Sequence, residues 1–194
     1  MARASVRQMW AQKLAGKGSA KGLGLPASLP AQRSYEGRIL GIDPSLRGTG
    51  LAIVEATGKQ FTLVASRVLK NPPKWSNAEC LGRIARGISE ALDAYACDAV
   101  AVEETIYVQN FRTAQILGAA RGAAIAVPAM RNIPLFEYPP LRIKQSVAGF
   151  GRASKEQVAN QVKGLLNLAQ ALGFDESDAA AVAICHALTQ RSPI

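Results

Sequence analysis

Residues 39–54 read ILGIDPSLRGTGLAIV and combine two apolar runs with a glycine-rich turn. The first run ends in Asp43, and Gly48-Thr49-Gly50 turns the chain into the second run. A third apolar run, 61–66, follows the turn Thr57-Gly58-Lys59. Short β-rich runs joined by tight glycine turns predict an antiparallel meander of three strands.

Beyond the meander, apolar strands alternate with helical segments. Strands are predicted over 98–104 and 135–138, where apolar runs end in acidic or proline residues. Helical spacing of apolar residues recurs over 76–95, 110–127, about 140–148, 154–168 and about 175–190. A meander followed by this alternation predicts the α/β class, with a five-stranded mixed sheet covered by helices on both faces.

Charge is unevenly distributed along the chain. Its 194 residues include 23 Lys and Arg against 14 Asp and Glu, a formal net charge of +9. Six basic residues and no acidic one lie in residues 1–35, among glycines and prolines that break regular structure. We therefore predict a basic, flexible arm over 1–37 and one domain over 38–194. The net charge favours a polyanionic partner such as nucleic acid. An organellar transit peptide has a similar composition, and that interpretation of the arm stays open.

The composition also excludes several classes of protein. Cys80, Cys97 and Cys185 are far apart, and the chain has one histidine, so a structural zinc site is nearly excluded. No stretch approaches the roughly 20 continuous apolar residues of a membrane-spanning helix, and we expect no membrane association.

Carboxylates stand at the ends of the predicted strands and at the start of the last helix. Asp43 ends the first strand and Glu103 the fourth, while Asp175 and Asp178 share one helix face. If the two strands are neighbours, their acids converge at the carboxyl edge of the sheet, where open α/β sheets bind ligands. Taken alone, such acids are more often helix caps or solvated loop residues.

Together, four acids on one rim repel one another unless a cation is present. Magnesium suits oxygen ligands, and two ions about 4 Å apart would clamp a phosphodiester displacement. The spacing is compatible with a metal-dependent nuclease but does not identify one by itself.

Four longer stretches carry a more specific signal: ILGIDPSLRGTGLAIVE, AVEETIYVQNFRTAQILGAARGAA, FEYPPLRIKQSVAGFGRASKEQV and DESDAAAVAICHA. In this order, over about residues 38–190, the chain resembles the RuvC family of bacterial Holliday junction resolvases. The resemblance implies a ribonuclease H-like fold, a homodimer, a cytoplasmic location and two Mg²⁺ per active site, with Mn²⁺ as a substitute. It implies paired nicks in opposing strands of a DNA four-way junction during recombination and repair, leaving 5′-phosphate and 3′-hydroxyl ends. It also implies RuvA and RuvB as branch-migration partners.

The resemblance assigns roles residue by residue. The family's catalytic, metal-binding acids match four positions: Asp43, Glu103, Asp175 and Asp178. Its DNA-engaging basic residues match Lys144 and Lys155, and Glu104 is left with a supporting role. One position departs from the family pattern, since Ile106 stands where an aromatic wedge is common. Two alternatives stay open: Ile106 itself wedges between bases, as an aliphatic side chain can, or Tyr107 stacks instead.

Further residues have two interpretations each. Arg112, Arg142 and Arg152 are candidate phosphate contacts or ordinary surface charges. His186 is a candidate general base, although a lone helical histidine is more often a packing residue. Phe150, in the turn Gly149–Arg152, either stacks on DNA or packs. Small residues over 110–127 suit packing on the sheet, and the resemblance places part of this helix in the dimer interface.

Three alternatives to a junction resolvase stay open on the sequence alone. GIDPSLRGTG also resembles the first phosphate loop of actin-like ATPases, but the chain is short and shows no convincing second phosphate motif. The second class is a ribonuclease H-like nuclease that acts on RNA. The third is a non-catalytic junction-binding module, which would not need all four acids.

Overall fold

The computed structural model describes residues 34–105 and 110–190. Its elements run in the order β1 (Glu36–Asp43), β2 (Gly48–Thr57), β3 (Gln60–Lys70), α1 (Asn77–Ala94), β4 (Ala99–Glu103), α2 (Phe111–Met130), β5 (Leu135–Tyr138), α3 (Pro140–Ala148), α4 (Lys155–Leu165) and α5 (Phe174–Thr189). This order confirms the one predicted from the sequence. The first strand begins at Glu36, and Tyr35 before it is buried. The division of the chain at residue 37 stays a prediction.

The five strands form one mixed sheet in the order β3-β2-β1-β4-β5. The first three strands are antiparallel, as the meander predicts, and β4 and β5 continue the sheet parallel to β1. Ile42 pairs with Val102, so that Asp43 and Glu103 follow at the same edge. The first and fourth strands are therefore neighbours, which is the condition under which their acids converge.

Helices cover both faces of the sheet because successive strand residues point to opposite sides. On one face, Leu40 and Ile42 share a buried cluster with Ile84 and Ile88 of α1. On the other face, Ile39 and residues of β2 share a cluster with α3, α4 and α5. The α/β class and the two covered faces are confirmed.

Helix α5 lies unusually close to the strands. A Cβ atom on Gly41 would overlap the carbonyl oxygen of Ala179, and one on Gly50 would overlap that of Asp175. Only glycine permits such an approach between backbones. The alanine-rich sequence of α5 allows the same closeness from the helix side, and the helix is buried from Ala179 to Ala187. The glycines of the first motif thus set the position of α5 on the sheet.

Local sequence signals explain most of the helix ends. Ser76 and Glu79 form a capping box at the start of α1, and Ser154 and Gln157 form the one expected at α4. Helix α4 ends at Leu165, before the predicted 168, and Asn167 follows with a φ of 50°. Helix α2 continues beyond the predicted 127 to Met130.

No helix among the described residues is both long enough and apolar enough to span a membrane.

Candidate active site

A cavity of about 300 Å³ opens at the edge of the sheet where β1 and β4 end. Its polar lining consists of Asp43, Glu103, Glu104, Thr105, Lys144, Lys155 and Asp178. Its apolar lining consists of Pro44, Leu117, Pro140, Ile143 and Val158. Three of the four predicted acids and both predicted lysines therefore meet in one cavity.

Asp43 and Glu103 form the inner part of this cavity. Their carboxyl groups are close enough to shift each other's pKa. Burial, together with the negative charges of Asp43 and Asp178, raises the pKa of Glu103 to about 8. Burial and the charge of Asp178 likewise raise the pKa of Asp43. Two carboxyl groups in such a place share a proton near neutral pH unless a cation compensates their charge.

Asp178 joins this pair from the first turns of α5. Its side chain is 18% exposed, and the Lys155 ammonium group lies 3.2 Å from its Oδ2 atom. The negative charge of Asp178 raises the pKa of Lys155, so that the lysine stays protonated. Lys155 begins α4 directly after the Ser154 cap, which fixes the end of the helix that faces the cavity.

Asp175 lies beside the cavity rather than in its lining. A Cβ atom on Gly48 would be 3.1 Å from Asp175 Oδ2, so that this carboxylate faces the glycine turn between β1 and β2. Its charge still contributes to the raised pKa of Asp43. The sequence spacing placed Asp175 and Asp178 on one helix face, and the structure gives them different neighbours.

The remaining cationic candidates lie outside the cavity lining. Arg112 is exposed in the first turn of α2, Arg142 is exposed on α3, and Arg152 is exposed in the turn before α4. Ile106 and Tyr107 lie outside the described residues. The apolar lining, such as Leu117 and Val158, was not singled out from the sequence, although these residues belong to the helices that carry the family motifs.

His186 is a core residue. Its side chain is 0% exposed, and its ring packs against those of Tyr35, Phe136 and Tyr138. Its Nδ1 atom is 2.9 Å from the Tyr138 hydroxyl, and burial lowers its pKa to about 4. The general-base interpretation is unsupported because His186 does not line the cavity, and the packing interpretation describes what the structure shows.

Glu137 forms an ion pair with Arg121 of α2. This pair ties α2 to β5, next to the strand that ends in Glu103. The carboxylate is therefore engaged in holding a helix and does not line the cavity.

The donor chemistry of the cavity suits a hard metal ion. Among the described residues, no three His, Cys, Asp or Glu side chains are already arranged as ligands of one ion. The available donors are nevertheless carboxylate oxygens, which hard cations such as Mg²⁺ prefer. Burial and the neighbouring carboxylates raise the pKa values of Asp43 and Glu103, and a bound cation would favour the charged form of both. The residues fit a hard divalent ion, provided that they reorient around it.

Comparison with known proteins decides the family. The family model for the crossover junction endodeoxyribonuclease RuvC matches residues 39–186. The chain belongs to the RuvC family. The RuvC protein of Polynucleobacter asymbioticus is 42% identical over 157 residues, which cover 80% of this chain and 91% of that relative. RuvC enzymes are metal-dependent nucleases.

Solved structures agree with this assignment. Thermus thermophilus RuvC in complex with a Holliday junction substrate matches with a TM-score of 0.74 and 34% identity, over 79% of this chain and 94% of that one. The yeast mitochondrial Holliday junction resolvase Ydc2 has a TM-score of 0.57 at 10% identity, over 81% of this chain and 82% of that one, which shows a shared fold alone. The fold is that of the RuvC proteins, the ribonuclease H-like fold expected from the sequence.

Proposed function

We propose that this chain resolves DNA four-way junctions by hydrolysing one phosphodiester bond at the cavity of Asp43, Glu103 and Asp178. Membership of the RuvC family makes it a Holliday junction-resolving endonuclease. The observation that supports the location of the site is the meeting of three acids and two lysines at one edge of the sheet. The same cavity offers no glycine-rich cradle for a nucleotide among its described lining residues, and this disfavours an actin-like ATPase.

We propose Asp43, Glu103, Asp175 and Asp178 as the catalytic, metal-binding acids, holding two Mg²⁺ ions that Mn²⁺ can replace. A divalent ion bound there lowers the pKa of water and offsets negative charge on the phosphate. Glu103, whose raised pKa favours its protonated form, must lose its proton to bind the ion. Asp175 must leave its position beside Gly48, because its carboxylate does not line the cavity.

The two lysines hold the DNA backbone in this proposal. Lys155 forms an ion pair with Asp178, and release of that pair would free its ammonium group for a phosphate. Lys144 lines the cavity from α3. Positive groups fixed next to the reacting phosphate offset the charge that develops in the transition state. The exposed Arg112, Arg142 and Arg152 would contact phosphates further along the strand, and Tyr107 is the candidate base contact.

A homodimer would place two such cavities on opposing strands, so that the nicks are paired and symmetric. Helix α2 is the proposed interface because small residues face outward from it. A Cβ atom on Gly118 or Gly122 would meet nothing within 4 Å, and Ala119 is exposed. Such a surface allows a second helix to approach closely. Light scattering at micromolar concentration tests the proposal, and a monomer would contradict it.

The family also suggests the cellular setting. We propose that RuvA and RuvB are the branch-migration partners and that the protein acts in the bacterial cytoplasm, where chromosomal junctions form. Cleavage would leave 5′-phosphate and 3′-hydroxyl ends that a ligase can seal.

The deciding experiment uses a labelled synthetic four-way junction with and without Mg²⁺. We expect symmetric nicking by the wild-type chain, and none by Asp43→Asn, which should still bind the junction. The matched control Asp93→Asn, on the exposed surface of α1, should cleave normally. Binding without cleavage by the wild type would favour a junction-binding module, and cleavage of linear RNA in preference to the junction would favour an RNA nuclease. Full cleavage by Asp43→Asn would contradict the assignment of the site.

A further inference from the structure

The turn between α3 and α4 brings an exposed aromatic ring close to the cavity. Helix α3 ends at Gly149, whose φ of 84° reverses the chain. The chain then returns toward the start of α3, since a Cβ atom on Gly151 would be 2.5 Å from Leu141 Cδ1 and 3.5 Å from the Leu141 carbonyl oxygen. Leu141 follows Pro140, which lines the cavity. Phe150 therefore lies in a turn that folds back to the cavity rim.

Phe150 and Leu141 expose large apolar side chains at this turn. Phe150 is 48% exposed and Leu141 is 64% exposed. By contrast, Ala153 just beyond the turn and Ile143 on the inner side of α3 are buried. The turn is thus anchored in the core, and Phe150 and Leu141 form an exposed apolar patch on its outer side.

Cationic residues neighbour this apolar patch in the sequence and line the cavity next to it. Arg142 and Arg152 flank it in the sequence and are exposed, while Lys144 and Lys155 line the cavity. The nearest acid in sequence is Glu156, whose carboxylate accepts a hydrogen bond of 2.7 Å from Ser154 Oγ. An exposed aromatic ring with neighbouring cations suits unpaired nucleotides, since the base stacks on the ring and the cations hold the phosphates.

We propose that Phe150, with Leu141 beside it, stacks against a nucleobase next to the phosphate that is cut. This inference rests on the proposed function and adds a base contact that is separate from Ile106 and Tyr107. In this proposal, the α3–α4 turn positions the DNA strand between Lys144 and Lys155. Stacking does not discriminate strongly between bases, so the contact would serve affinity and position more than sequence choice.

The test compares Phe150→Ala, Phe150→Trp and the control Leu188→Ala in the full-length protein. Leu188 has the same 48% exposure and lies near the far end of α5. Junction binding is measured by fluorescence anisotropy in EDTA over a series of salt concentrations. Stacking is measured with 2-aminopurine at the nucleotides that flank the wild-type cleavage position.

We expect Phe150→Ala to weaken junction binding roughly 10-fold and to lift the quenching of 2-aminopurine. The salt dependence of binding should keep its slope because no charge is removed. Phe150→Trp and Leu188→Ala should bind like the wild type. Binding and quenching by Phe150→Ala equal to those of the wild type would overturn the inference while leaving the resolvase function intact.

Two other outcomes would also contradict it. A shift of Phe150→Ala from dimer to monomer in light scattering would show that the ring is covered by a second copy of the chain. Failure of the wild type to cut any four-way junction would remove the proposed function itself, and this is seen before any variant is made.

Discussion

The two ends of helix α5 differ in exposure and in the residues that they contact. Asp178, near the amino end, is partly exposed, lines the cavity and pairs with Lys155. His186, two turns later, is fully buried among three aromatic rings. Helical spacing relates the two residues but does not tell where the helix enters the core. The difference teaches that a titratable side chain must be placed along the helix axis, and not only around it, before a role is assigned.

The largest expected effect is a difference in junction cleavage between variants at the two ends of α5. Asp178→Asn should reduce junction cleavage by at least roughly 10²-fold, because a neutral amide cannot replace a charged oxygen at the reacting phosphate. His186→Gln should cleave within about threefold of the wild type at 25 °C, since its ring does not reach the cavity. Single-turnover cleavage of a labelled junction in Mg²⁺ measures both. A large loss of cleavage rate in folded His186→Gln would contradict the distinction between the two ends of α5.

The next effect concerns the closeness of α5 to the sheet. Gly50→Ala should destabilise the protein by about 3 kcal/mol, because its methyl group meets the Asp175 carbonyl oxygen. The melting temperature should fall by roughly 5–10 °C, and the end of α5 that carries Asp178 should move with the helix. In the control Gly164→Ala, on α4, the new methyl group meets nothing within 4 Å, and stability should rise by about 0.5–1 kcal/mol. Thermal unfolding that is unchanged in Gly50→Ala would show that α5 can shift freely.

The buried end of α5 should make the protein sensitive to acid. The folded His186 has a pKa of about 4, below its ordinary 6.5, so the unfolded chain binds a proton first. The contribution of neutral His186 to the free energy of unfolding is complete above about pH 6.5. It is lost as the pH falls toward 4, and the loss amounts to at most about 3 kcal/mol. Urea unfolding at pH 7.5 and 4.5 should show a smaller loss for His186→Gln than for the wild type. An equal loss in both would place the acid sensitivity elsewhere.

The cavity end should respond to pH in the opposite direction. The folded pKa of Glu103 is raised to about 8, so its contribution is present below its ordinary pKa near 4.5 and is lost as the pH rises through 8. Without divalent ions, the free energy of unfolding of Glu103→Gln should therefore rise relative to that of the wild type as the pH goes from 5 to 9. The expected change is about 1 kcal/mol, after allowance for the partial exposure of Glu103. Denaturant unfolding in EDTA measures the gain, and a constant difference across this range would contradict the shift.

Much of this molecule could be predicted from its sequence because its signals are local. Alternating apolar runs and glycine turns predicted the order of strands, and the adjacency of β1 and β4 placed Asp43 beside Glu103. The resemblance to RuvC proteins added Lys144 and Lys155, which lie far apart in sequence from Asp43 yet line its cavity.

The remaining features depend on packing between distant segments. Asp175 and Asp178 have different neighbours because α5 crosses the sheet at Gly41 and Gly50, a geometry that no helix-face rule contains. The enclosure of His186 depends on Tyr35, from a segment predicted to be an arm, and on Phe136 of β5. The apolar lining of the cavity likewise comes from α2, α3 and α4 together.

Helix α5 also bears on when the protein becomes active during its synthesis. It carries Asp178 and at the same time fills the core on one face of the sheet, against strands made more than 100 residues earlier. Contacts of such long sequence separation form late in folding. A nascent or truncated chain that lacks α5 therefore has neither a closed core nor a complete set of acids. Under the proposed function, a chain that lacks α5 would therefore not cut DNA.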